Sequence, residues 1–186
     1  IKSYKLDSEI LLSKILNKDR KFIILNLDKS LEYTHYKRFK NLVYQRLTRK
    51  PIAYLVGKKD FWKYEFYISD GALIPRPETE IIIEEVLRIF RYKDKLNILE
   101  IGIGSGCILL SILKEKKYFK GVGIDISKKC VELSKINALK LDIYNRVKFF
   151  KTDVDNFFYD KYDLIISNPP YICLLYTSDA ADDPTC

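Results

Sequence analysis

The second half of the chain alternates short apolar runs with helical stripes, and that alternation leaves few architectures open. Residues 97–101, 120–125, 147–150 and 162–167 are compact runs of strand length. Between them, 108–116 and a segment from a Ser127 cap to about residue 139 carry apolar positions at helical steps. Ile82, Ile83, Val86, Leu87 and Phe90 form a further helical stripe just before the first run. Strands that are apolar almost throughout need cover on both faces, and the intervening helices supply it. The expected fold class is therefore α/β, with a Rossmann-like parallel sheet.

The first half follows a different pattern. Asp7 is expected to cap a helix carrying Ile10, Leu11, Leu12, Ile15 and Leu16, and Ser30 to cap another carrying Tyr36, Phe39, Val43 and Leu47. Pro51 and Gly57 end that pattern. Over residues 61–68 the period becomes two, with Tyr64, Phe66 and Ile68 on one side and Lys63, Glu65 and Tyr67 on the other, which reads as a strand forming half of a hairpin. The expected organisation is a small helical domain at 1–58, a β-hairpin linker at 59–77 and the α/β domain at 78–172. Residues 173–186 contain no Lys or Arg, resemble the translation of a sequencing-library adapter, and are read as a non-native tail. Ile1 is not a start methionine, so the amino end reads as incomplete.

Composition narrows the chemistry. A chain of 186 residues that is 47% hydrophobic can bury a core. No apolar run approaches the roughly 20 residues that span a bilayer, and the start has no signal-peptide pattern. The formal net charge of +8 suits acidic partners, but the lysines are scattered rather than clustered, which argues for steering and against a dedicated nucleic-acid surface. His35 is the sole histidine, and Cys107, Cys130, Cys173 and Cys186 show no Cys-x-x-Cys spacing, so neither a metal site nor a His-based triad is expected. Scattered free thiols suit a reducing cytoplasm.

Two loops carry the chemistry. Glu100-Ile101-Gly102-Ile103-Gly104-Ser105-Gly106 lies where a strand becomes a helix, and its glycines let the backbone approach a ligand in front of unpaired helical N–H groups. A dinucleotide fingerprint would put its third glycine where Cys107 stands. The shorter loop suits a ligand without a pyrophosphate, and S-adenosylmethionine is that ligand. Glu100 is then expected near its cationic methionine end, directly or through water, with Asp125 on the ribose, Asp153 at the adenine amine and Val154 beside the ring. The second loop, Asn168-Pro169-Pro170-Tyr171, is a rigid polar hook after the last strand. The Asn168 amide oxygen and the Pro169 carbonyl offer two acceptors for a planar –NH2 group, and Tyr171 offers an aromatic face.

Together with Ile74-Pro75-Arg76-Pro77-Glu78-Thr79-Glu80 and the segment from Arg49-Lys50-Pro51 to Gly57, these motifs resemble the HemK/PrmC family of protein-(glutamine-N5) methyltransferases that modify peptide chain release factors. The resemblance spans about residues 7–172, and the Pro-Arg-Pro-Glu-Thr-Glu segment is its specific part. It implies a helical domain that docks the release factor, a hairpin, and a class I S-adenosylmethionine-dependent methyltransferase domain acting as a cytoplasmic monomer. Gly102 to Gly106, Asp125, the neighbourhood of Val154, and Asn168 would contact the cofactor, and Asn168 to Tyr171 would hold the glutamine of a Gly-Gly-Gln motif. Ile103 replaces the smaller residue usual in the family's loop. Family members also continue past this point with further strands and helices.

Other readings stay open on sequence. An amino methyltransferase acting on an adenine or guanine exocyclic nitrogen would use the same hook and draw on the positive charge, but lacks support from residues 74–80. A nicotinamide-dependent oxidoreductase is disfavoured by the glycine spacing. A non-catalytic release-factor-binding fragment would differ from an enzyme by not binding the cofactor.

Overall fold

The computed structural model describes residues 3–157 and 161–169. Its helical part comprises α1 (Tyr4–Leu16), α2 (Arg20–Leu25), α3 (Tyr33–Leu47) and α4 (Ile52–Val56). Helix α1 begins before Asp7, with Ser3 at its N-cap position. Asp7 is instead buried in the first turn, where its carboxylate accepts from Arg46 Nε of α3 at 2.6 Å. The partner lies 39 positions away, so the local capping reading missed it. Helix α3 opens from Glu32, two residues beyond the cap expected at Ser30. Glu9, also buried, accepts from Arg20 Nε at 2.7 Å and ties α2 to α1. Lys14 closes the end of α4 by donating to the carbonyls of Leu55 and Val56 at 2.6 and 2.9 Å. Buried ion pairs of this kind set relative helix position more than they add stability.

The stretch 61–68 that alternation assigned to one strand holds the last residue of one hairpin arm, the turn and the whole second arm. Strands β1 (Lys58–Phe61) and β2 (Tyr64–Tyr67) are antiparallel, with Phe61 opposite Tyr64 and Lys58 opposite Tyr67. Trp62 makes the turn at φ +57, a conformation that a bulky residue adopts only when its surroundings hold it. Two carboxylates do so. Glu80 accepts the Trp62 backbone N–H at 2.8 Å, while Glu115 accepts from Trp62 Nε1, Tyr64 Oη and Lys63 Nζ, each at 3.0 Å. Burial and the bond to Glu115 push the Tyr64 phenol up to about 12. The inward side of the alternation is real, since Phe66 and Ile68 are buried and Tyr67 is exposed.

Helix α5 (Glu80–Ile89) leads into β3 (Asn97–Ile101), α6 (Cys107–Glu115), β4 (Lys120–Asp125), α7 (Lys128–Lys140), β5 (Val147–Lys151) and β6 (Leu164–Ser167). The four strands are parallel in the order β5-β4-β3-β6. The α/β fold class expected from the alternation is the one observed. Ser127 caps α7 as expected, accepting from the Cys130 N–H at 3.4 Å. Ile83, Ile98, Leu109, Leu113 and Phe119 lie in the core between the sheet and its helices. A Cβ added at Gly121 would stand 2.8 Å from Leu109 Cδ1, so the bare backbone there lets α6 lie close to β4.

Helix cover was expected on both faces, but among the described residues it lies on one. Chain steps from β3 to β4 to β5 run in one direction, and right-handed crossovers then put α6 and α7 on the same side. The return to β6 reverses direction and places its connection opposite. That connection contributes the short turn Val154–Asn156 and the side chains of Phe157 and Tyr162, which pack with Leu99, Val122, Ile124 and Phe150.

Candidate cofactor and substrate site

The strand order reverses at β3, so the carboxyl ends of β3 and β6 flank the crevice where open α/β sheets receive ligands. Ile101 pairs with Ser167, whose hydroxyl donates to the Ile101 carbonyl at 3.3 Å. The next residues on the two strands are Gly102 and Asn168, so the glycine loop and the hook begin side by side. Asn168 is half-buried and Pro169 exposed. Pro170 and Tyr171 lie outside the described residues, as does the tail at 173–186.

Gly102, Gly104 and Gly106 all have positive φ, at +72, +56 and +79. The N–H groups of Gly102 and Ile103 both donate to the Ile124 carbonyl, at 2.9 and 3.0 Å, which fastens the loop to β4. No heavy atom comes within 4 Å of a Cβ built on Gly102, so its outer side is open. Gly106 is the opposite case. A Cβ there would meet Leu110 Cδ1 at 2.8 Å, so this glycine serves helix packing.

Ile103 points inward and is buried. A Cβ on Gly123 would lie 2.0 Å from Ile103 Cδ1, which makes Gly123 the vacancy on β4 that receives the unusually large loop residue. Ser105 is likewise buried. The loop therefore turns backbone, rather than the Ile103 or Ser105 side chains, toward the crevice.

Asp125 ends β4 half-buried and receives one N–H on each oxygen: Ser127 on Oδ1 at 2.8 Å and Gly104 on Oδ2 at 3.0 Å. A carboxylate has about four lone-pair sites, so acceptor capacity remains on both oxygens for a pair of hydroxyls. The Thr152 N–H donates to the Asp125 carbonyl at 3.0 Å, and this bond sets Asp153 and Val154 on the neighbouring strand end. Asp153 is exposed and caps the short turn by accepting from the Asp155 N–H at 3.2 Å; Val154 is 47% exposed.

Glu100 is placed differently from its expected position at a ligand's cationic end. It is 2% exposed, and its Oε2 accepts the N–H of Leu109 in the first turn of α6 at 3.0 Å. Burial pushes its carboxyl up to about 8, against the pull of the Leu109 bond and with help from Asp125. Burial thus favours its protonated form, which carries no countercharge. Beside it, burial and then Glu100 push the Cys107 thiol up to about 12, so this cysteine is a neutral core residue.

Sequence reasoning missed Ser134 and Asn137 of α7. Both are fully buried. Ser134 Oγ donates to the Gly104 carbonyl at 2.8 Å and Asn137 Nδ2 to the Ser105 carbonyl at 2.8 Å. The available signal was two polar residues three apart on a stripe otherwise made of Cys130, Val131, Leu133 and Ala138.

A separate cleft of about 750 Å³ opens among residues at the amino ends of β3, β4 and β5, lined by Asn97, Lys120, Gly121, Arg146 and Lys161 among others. None of the expected site residues lines it, and the amino edge of a parallel sheet is not where such folds bind ligands. Among the described residues no group of three His, Cys, Asp or Glu side chains is placed to hold a metal, and no helix is long and apolar enough to cross a membrane.

Residues 1–57 match the PrmC N-terminal domain and residues 79–181 the methyltransferase small domain. The chain belongs to the HemK/PrmC family. The release factor glutamine methyltransferase of Buchnera aphidicola subsp. Schizaphis graminum is 39% identical over 166 residues, covering 89% of this chain and 60% of that protein. The enzyme of the same name from Clostridium acetobutylicum is 37% identical over 172 residues, covering 91% and 60%. A bifunctional methyltransferase of Rickettsia conorii is 33% identical over 206 residues, covering 97% of this chain and 39% of its own length. The chain thus spans less than two thirds of these relatives.

Proposed function

We propose that this chain binds S-adenosylmethionine at the carboxyl ends of β3, β4 and β5 and directs its methyl group to the side-chain amide nitrogen of the glutamine in a release factor's Gly-Gly-Gln motif. The observation that carries the reading is the pairing of Ile101 with Ser167, which starts the glycine loop and the hook at adjacent positions. The residues present fit the cofactor. Asp125 keeps acceptor capacity for ribose hydroxyls, Gly102 leaves its outer side open, and Val154 presents an apolar surface beside Asp153 for a purine.

An amide nitrogen is a weak nucleophile because its lone pair is delocalised into the carbonyl. The bound cofactor would supply an electrophilic methyl group, the electron pair of the broken C–S bond staying on its sulfur, and the nitrogen would lose one proton to water. The protein's part is orientation: Asn168 Oδ1 and the Pro169 carbonyl accept the two amide hydrogens, while Pro170 and Tyr171 complete the hook. Positioning and electrostatics do the catalytic work in this reading, and no general base is assigned. Glu100 acts from behind, holding the first turn of α6 against the loop. The helical part is the docking region for the release factor, with Tyr33, Tyr36, Tyr44 and Leu47 of α3 exposed on its surface. The reading places the protein in the cytoplasm as a monomer.

The test offers a release factor and nucleic acid in parallel with isotope-labelled cofactor, followed by mass mapping. Label on the Gly-Gly-Gln glutamine supports the proposal. Label on adenine or guanine with an untouched release factor replaces it with the nucleobase reading.

A further inference from the structure

Asn137 does more than fill a buried position on α7. Its Oδ1 accepts the Tyr67 N–H at 2.7 Å, and its Nδ2 donates to the Tyr67 carbonyl at 3.0 Å and to the Ser105 carbonyl at 2.8 Å. Tyr67 N–H can only donate and the two carbonyls can only accept, so one orientation of the amide satisfies all three. Toward the hairpin, Asn137 pairs with the outer edge of β2 as a neighbouring strand residue would. Toward the loop, it and Ser134 draw two successive carbonyls to α7. Peptide planarity then sends the Ser105 N–H away from α7 and the Gly106 N–H back across the turn, where the Ile103 carbonyl accepts it at 2.8 Å.

We infer that Asn137 is a positioning residue for the glycine loop and that, through it, the loop and the hairpin form one mechanical unit, so that filling the cofactor site is felt at Tyr67. Other polar anchors of the hairpin go to helices and not to the loop backbone. Lys140 of α7 holds Glu65 at 2.6 Å and lies 4.5 Å from the Tyr67 ring centroid, and Glu115 of α6 holds the tip. Among the described residues, Asn137 is the side chain whose hydrogen bonds join the hairpin to the loop. An isosteric Asp would keep the acceptor for Tyr67 but set a second acceptor against two carbonyls.

This inference rests on the cofactor reading of the loop. The test uses S-adenosylhomocysteine as an unreactive probe, with calorimetry on wild type, Asn137→Ser, Asn137→Asp and Lys140→Ala, each checked for folding by circular dichroism. The Asn137 variants are expected to bind about tenfold more weakly or worse, the scale of a lost buried hydrogen bond. Lys140→Ala, which loosens the same hairpin, should stay within about twofold of wild type. A residue with only a structural role would lower the melting temperature and leave the affinity of the folded protein alone. Hydrogen exchange on wild type gives a second readout that no variant's misfolding can obscure: the probe should slow exchange of the Tyr67 amide. Folded Asn137 variants that bind like wild type, or a Tyr67 amide indifferent to the probe, would overturn the inference. A wild type that binds no probe would instead overturn the cofactor reading beneath it.

Discussion

Replacing Glu100 with Gln removes a buried ionisable group while keeping its shape and an acceptor for the Leu109 N–H. The folded carboxyl sits at about 8, against an ordinary value of 4.5, because burial penalises its charged form. Between those two pH values the unfolded chain has released the proton and the folded chain retains it. Stability therefore falls with rising pH across that window, and is unaffected by this group below it. At about 1.4 kcal/mol per pH unit, the wild type is expected to lose on the order of 3–5 kcal/mol between pH 4.5 and pH 8 through this one group. Glu100→Gln has no proton to release and escapes that loss. Cys107 stays neutral over the same range, since its thiol is pushed up to about 12, so it adds no competing slope. Urea unfolding of both proteins at matched ionic strength, in steps from about pH 5 to pH 8.5, measures the difference directly. The variant should gain on the wild type steadily as pH rises. A difference that stays constant with pH would refute the assignment of a protonated Glu100 behind the loop.

Asp125→Ala should weaken S-adenosylmethionine binding by about 1–3 kcal/mol in calorimetry, because it removes a charged acceptor and also frees the Gly104 and Ser127 amides. Unchanged affinity would take Asp125 out of the ribose role. Gly123→Ala should destabilise the fold by about 1–3 kcal/mol through collision with Ile103, and adding Ile103→Ala should recover part of that loss in thermal unfolding; additive losses would show that the two do not share space. Asn168→Ala should lower methyl transfer to a release factor far more than it lowers cofactor affinity, since it removes orientation at the reacting nitrogen. Equal losses in both would reassign Asn168 to cofactor binding alone.

The sheet was legible because its strands announce themselves locally. The runs at 97–101 and 120–125 coincide with β3 and β4, each apolar run ending at a turn or a charge. The positions of the glycine loop, Asp125, Asp153 and Asn168 followed from that sheet, since strand ends are where such folds gather ligand groups. What could not be read locally was the partner of each polar group. Asp7 suits a cap by spacing, yet its partner Arg46 is two helices away in sequence order. Glu100 looked like a site carboxylate because it precedes the glycines. Strand parity held the better signal, since Glu100 shares a face with Ile98, and Ile98 packs into the core beneath α6.

The Pro-Arg-Pro-Glu-Thr-Glu segment shows how much a motif's location can mislead about its work. It carries the specific part of the resemblance, so it invites a catalytic role. Its last residue, Glu80, instead begins α5 and accepts the backbone N–H of Trp62, the one turn residue held at positive φ in the hairpin. Glu115 closes on the same tip from α6, and burial, which pushes its carboxyl up, is outweighed by the bonds from Lys63, Trp62 and Tyr64 that hold it below the ordinary value. Glu80 and Glu115 thus fasten the tip of the hairpin while Asn137 fastens its other end. The hairpin follows directly on the helical part, which is the proposed docking region, and every one of these anchors comes from the α/β part. A substrate delivered from that side would meet the hook only if the hairpin keeps a fixed attitude to the sheet. Glu80, the last residue of the segment on which the resemblance most depends, is therefore explained by rigid connection, and in the proposed reading the methyl chemistry is left to the strand ends.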